Sequence, residues 1–233
     1  MNFIKNAVER YKRIPVERRA MYLSFLAFAV NAVNSVLNGV FGSLYGSNWM
    51  IALAVYYALL CLMRGGVIAY YFRLMADKTL PEEKKAEKRL FIYRLTGFFL
   101  LVITAVLAGM IVLLIRDGNG YYISGFLIYY FAAYTVYKLV ASVRSALKAR
   151  SYDDFTLRAV RNIGLADAYV SVLSLQIALL AAFGNGSYVN LANAITGGVA
   201  CGFIIYLSIF MIIQSFIVKK KGGDNLFANS DRT

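Results

Sequence analysis

The chain has 233 residues, of which 60% are hydrophobic and 16% charged, with 25 Lys and Arg, 12 Asp and Glu and no histidine. So small a polar fraction cannot cover a water-soluble domain of this size, so the chain reads as an all-α integral membrane protein solvated by lipid. Its charges are crowded into short blocks between long uncharged runs, leaving no basic surface of duplex size, so the net charge of +13 is not read as a nucleic-acid signal.

Residues 1–16 open the chain with Phe3, Ile4, Ala7, Val8, Tyr11 and Ile14 at helical spacing and Lys5, Glu9, Arg10, Lys12 and Arg13 between them. That pattern predicts an amphipathic helix lying in the membrane interface, ended by Pro15. A membrane domain over residues 17–219 follows. A span needs about 20 apolar residues to cross a hydrocarbon core of about 30 Å. The first is expected over 21–41. Its Asn31, Asn34, Ser35 and Asn38 stand at offsets 0, 3, 4 and 7 and share one helical face, which must meet protein or water.

The second span, 49–72, carries Arg64. A cation at a helix centre costs about 2.5–3.5 kcal/mol on insertion scales, so Arg64 either snorkels to the headgroups or has a buried partner. The segment 77–89, with Pro81 before Glu82, Glu83, Lys84 and Lys85, reads as a short solvated helix start. A third span is expected over 95–115 and a fourth over 121–143, where Lys138 is placed to snorkel. No charge occurs from Ala168 to Val218, and Gly184 to Ser187 divide that run into a fifth span, 165–183, and a sixth, 189–218.

The fifth span carries Asp167, Ser171 and Ser174 at offsets 0, 4 and 7, and the sixth opens with Asn190 and Asn193. Asp167 is the one acidic residue near a span interior, which predicts an ion pair with Arg64 or Lys138, since opposite charges at one depth lower each other's desolvation cost. Gly198 and Gly202 are expected to form a small-residue face for close helix contact. Residues 220–233 read as a disordered tail.

The six spans form three hairpins. Of the 25 Lys and Arg, 23 fall in the termini and the links 73–94 and 138–161, which places both ends in the cytoplasm. Arg19, Arg94 and Arg161 each precede an ascending span, and Gly42, Gly118 and Gly184 follow at near-equal spacing, a pattern compatible with an internal two-helix repeat.

Without histidine, with one intramembrane carboxylate and with no acidic cluster, the chain lacks the groups for intramembrane proteolysis, zinc or haem ligation, or magnesium-dependent lipid phosphotransfer. Cys61 and Cys201 sit in spans with no ligating neighbours in sequence. The expectation is a non-enzymatic protein of the bacterial cytoplasmic membrane with no cofactor and no metal. The bilayer and its anionic cytoplasmic headgroups are its partners, together with further copies of the chain or other subunits. A transporter or channel for a small solute is the leading reading, with the polar residues of the spans as its lining. The alternative is a non-catalytic membrane subunit or scaffold, in which the same residues hold helices together.

Overall fold

The computed structural model describes residues 16–117, 154–184 and 188–230, with positions 133, 136, 137, 139 and 140; side chains are described between Ala20 and Lys219. The expected interfacial helix, most of the expected fourth span, Lys138 and Gly118 lie outside the described residues, although the five isolated positions of that span are helical. The remainder forms five helices: α1 (Val16–Tyr45), α2 (Asn48–Ala76), α3 (Glu82–Asp117), α4 (Phe155–Phe183) and α5 (Tyr188–Ser230). Each is long and apolar enough to cross a membrane. Helix is what such a segment must adopt, because lipid offers no partner for backbone N–H and C=O groups and a helix pairs them internally.

The helices outrun the expected spans. Thus α3 starts at Glu82, where Lys85 pairs with Glu82 at 3.0 Å, and continues through the apolar run as one helix of 36 residues. Charge tells where lipid ends, but a charged helix is stable in water, so the polar boundary and the helix boundary are separate events. For the same reason α5 continues to Ser230, into the stretch expected to be an unstructured tail.

Between α1 and α2 the chain reverses at Gly46, whose φ of +62° lies in the left-handed region that glycine enters without a steric cost. Ser47 caps α2, its side chain accepting from the Met50 N–H at 3.4 Å. Gly42 is needed here for space: a Cβ on it would stand 2.8 Å from the backbone nitrogen of Ile51. At the other end of the molecule Asp154 caps α4 by accepting from Thr156 N–H at 2.7 Å, and its second carboxylate oxygen meets Arg89 at 3.3 Å, tying α4 to α3.

The core lies among α2, α3, α4 and α5, with Tyr56, Leu60, Tyr93, Leu100, Leu107, Ile163, Leu173 and Ile204 fully buried. Packing follows chain order for α1, which lies chiefly on α2, but α5 packs chiefly along α3 rather than on its neighbour α4. The α3–α5 seam is close because each helix supplies a glycine. A Cβ on Gly97 would come within 3.0 Å of Ile212 and 3.1 Å of the Ser208 carbonyl, and one on Gly197 within 2.7 Å of Ile111. The expected contact glycines Gly198 and Gly202 are both exposed with open space beside them; the seam uses the neighbouring glycine instead, one helical step round.

Candidate functional site: a buried polar cluster on three helices

The expected acid–base encounter is present in the structure as a contact between α2 and α4. Arg64 Nη2 stands 3.4 Å from Asp167 Oδ2, and Asn31 Nδ2 of α1 donates to the same oxygen at 3.1 Å. The three residues are 3%, 1% and 0% exposed, so the charges have left solvent altogether. Their registers agree. Arg64 precedes the last residue of α2, Ala76, by twelve positions, and Asp167 follows the first residue of α4, Phe155, by twelve. Both therefore lie about 18 Å along the helix from these two helix ends. Removing two ions from water costs several kcal/mol each, which only mutual attraction and hydrogen bonding offset. The contact is longer than the roughly 2.7–2.9 Å of a tight charge-assisted bond.

Two tyrosines complete the cluster. Tyr56 and Tyr57 stand two turns before Arg64 on α2, and both are buried. Tyr56 lies in the field of Asp167 and Arg64, and Tyr57 lies in the field of Asp167, near Ser171 and Ser174. These tyrosines are cluster members that the polar stripes of the sequence do not single out. The spacing that would have found them is Tyr56, Leu60, Arg64, a single face of α2 buried throughout. Cys61, on the next position, donates its Sγ–H to the Phe28 carbonyl of α1 at 3.4 Å.

Hydrogen bonding within the cluster is unevenly met. Ser171 Oγ is used within its own helix, donating to the Asp167 carbonyl at 2.9 Å. By contrast the Tyr56 hydroxyl and Asn31 Oδ1 are buried without a hydrogen-bond partner among the described residues. Native interiors seldom leave such atoms unmet, and each costs about 1–3 kcal/mol.

The remaining expected residues divide. Ser35 Oγ donates across to the Ala54 carbonyl of α2 at 2.8 Å, whereas Asn38 Nδ2 turns back onto the Asn34 carbonyl of its own helix at 2.8 Å. Asn34 is half-buried. Asn193 is buried on α5, beside Ala192, whose carbonyl accepts from Gln176 of α4 at 3.3 Å. Asn190 is exposed and belongs to no such contact, because the helical turn carries it to the outer surface. Among the described residues no group of three His, Cys, Asp or Glu is placed to hold a metal ion.

Five membrane-length helices around a buried ion pair are compatible with a multi-pass membrane protein. Comparison of the chain with protein-family models, with curated proteins and with solved structures finds no match.

Proposed function

We propose that the chain is a non-enzymatic transporter for a small zwitterionic or anionic solute in the bacterial cytoplasmic membrane, with both ends in the cytoplasm and the Arg64–Asp167 pair as its binding centre. The observation that carries this reading is a loose ion pair, 3.4 Å long and buried mid-helix, beside a tyrosine hydroxyl and an amide oxygen with unspent hydrogen-bonding capacity. A pair serving only to join helices gains most from short contacts and fully satisfied neighbours. A pair that exchanges partners gains from the opposite, since a solute carboxylate can take the guanidinium while its ammonium takes the carboxylate. Ionisable residues inside membrane bundles most often mark such pathways.

Water access tests it. Asn31→Cys and Tyr56→Cys, in a background with Cys61 and Cys201 replaced by Ala, are exposed to a membrane-impermeant thiol reagent in intact cells and in inverted vesicles. Labelling from either side supports a pathway to the pair; silence at both positions from both sides removes the reading.

A second reading has its own observation. The face of α1 turned away from α2 exposes Phe25, Leu26, Val33, Val36, Val40 and Leu44, and among the described residues α1 is held by little beyond α2. An apolar face of that extent suits assembly with another membrane helix, and cross-linking from Val36→Cys in native membranes distinguishes a protein neighbour from lipid.

A further inference from the structure

The buried pair limits what can take its place. Among the described residues, Arg64 and Asp167 are the charged residues that are buried, one cation and one anion. An anionic solute on Arg64 leaves the Asp167 carboxylate buried without its countercharge, and a cationic solute on Asp167 strands Arg64 in the same way. A zwitterion keeps both charges paired.

Distance sets how far apart the two charges of that zwitterion stand. Arg64 Nη2 and Asp167 Oδ2 are 3.4 Å apart, so the carboxylate and ammonium that exchange with them must be close neighbours. In an α-amino acid the bond lengths N–Cα, Cα–C and C=O place the ammonium nitrogen about 2.7 Å from the nearer carboxylate oxygen. Each further methylene lets the two groups swing apart, and holding them together then costs conformational freedom.

The ammonium end is offered three acceptors. Asn31 Nδ2 donates to Asp167 Oδ2 at 3.1 Å, and because the two ends of one amide lie about 2.3 Å apart, Asn31 Oδ1 is within about 5.4 Å of that carboxylate oxygen. A nitrogen about 2.9 Å from each of two oxygens bridges a gap of up to about 5.8 Å. Asn31 Oδ1 and the Tyr56 hydroxyl are both buried without a hydrogen-bond partner among the described residues, and Tyr56 lies in the field of the same carboxylate. With Asp167 they equal in number the N–H donors of a primary ammonium. A quaternary ammonium has no such donor and leaves all three unmet.

We propose that the Arg64–Asp167 site selects α-amino acids carrying a primary ammonium, with the solute carboxylate on Arg64 and its N–H groups on Asp167, Asn31 Oδ1 and the Tyr56 hydroxyl. This rests on the transport reading above and narrows its solute.

Thermal unfolding of the purified full-length chain in detergent reads the selection, because a ligand of the folded state raises the melting temperature as its concentration rises. The probes are glycine, L-alanine, L-serine and L-leucine, each compared with its N,N,N-trimethyl derivative and with the matching α-hydroxy acid. At least one of the amino acids is expected to stabilise the chain, with its trimethyl and hydroxy-acid counterparts about tenfold weaker or more. Tyr56→Phe deletes a buried hydroxyl without a partner among the described residues, so the unliganded melting temperature is expected not to fall, while affinity for that amino acid drops about tenfold, the loss of one hydrogen bond to a charged group. A counterpart that stabilises as well as its amino acid, a panel without effect, or unchanged affinity in Tyr56→Phe overturns the proposal. Thiol access at Asn31→Cys and Tyr56→Cys decides the transport reading separately: if labelling is seen while the amino acids fail, the pathway stands and its solute is of another class.

Discussion

Arg64 and Asp167, 103 residues apart in the chain, meet at 3.4 Å because each lies twelve residues from the same face of the bundle. Asn31 closes the triangle from α1, so three helices share one polar point.

The pair predicts an asymmetry between single and double substitutions. Arg64→Leu or Asp167→Leu alone strands one buried charge and is expected to lower stability by about 3–5 kcal/mol, while Arg64→Met with Asp167→Leu restores most of it. Thermal unfolding in detergent measures both. A double variant no more stable than either single one contradicts the pairing.

Asn31 and Asn190 look alike in sequence and differ in the fold. Asn31→Leu removes a donor from the Asp167 carboxylate and is expected to cost about 0.6–2 kcal/mol, the range for interhelical bonds in membranes. Asn190→Leu, at an exposed position, is expected to stay within about 0.5 kcal/mol of the unmodified chain. The same unfolding measurement compares them.

The α3–α5 seam predicts which glycines tolerate a side chain. Gly97→Val pushes against Ile212 and the Ser208 carbonyl, and an overpacked contact of that kind costs about 1–3 kcal/mol. Gly198→Val meets open space and should leave the melting temperature nearly unchanged. Equal losses in the two variants would mean that α5 presents a different face to α3.

Outside the membrane-spanning segments, Asp77 follows α2 and its carboxylate accepts from the Thr79 hydroxyl at 2.6 Å and the Thr79 N–H at 3.0 Å, which hold it below the usual aspartate range. A carboxyl depressed in the folded state contributes stability above its unfolded pKa and loses that contribution as pH falls through its folded value. Thr79→Val deletes the hydroxyl donor, so the Asp77 titration, followed by carboxyl NMR, is expected to move up toward about 3.9. An unchanged midpoint would show that the hydroxyl bond does not hold the carboxyl down.

Much of this architecture is legible along the chain. The uncharged runs around Asn31, Arg64 and Asp167 dictate membrane-length helices, because lipid leaves the backbone no other way to pair its polar groups. The excess of intramembrane polar residues on single faces, and the scarcity of acids, point to Asp167 as a partner for a cation before any packing is known. What one-dimensional pattern could not supply is which face meets which. Periodicity shows that Gly197 and Gly198 both lie on an apolar helix, but only the approach of Ile111 makes the first a contact and leaves the second facing open space. It shows Asn34 and Asn38 on the face of Asn31, but Asn38 can satisfy itself on its own helix, so helical phase alone does not oblige it to reach another. And it offers Arg64 and Lys138 equally to Asp167. Composition determined the solvent and the secondary structure, since both depend on the chemistry of each residue and its near neighbours. The helix pairing, with α5 on α3, and the joining of Asn31, Tyr56, Arg64 and Asp167 were decided by tertiary packing, because side-chain contacts between distant helices depend on shape complementarity that no local spacing encodes.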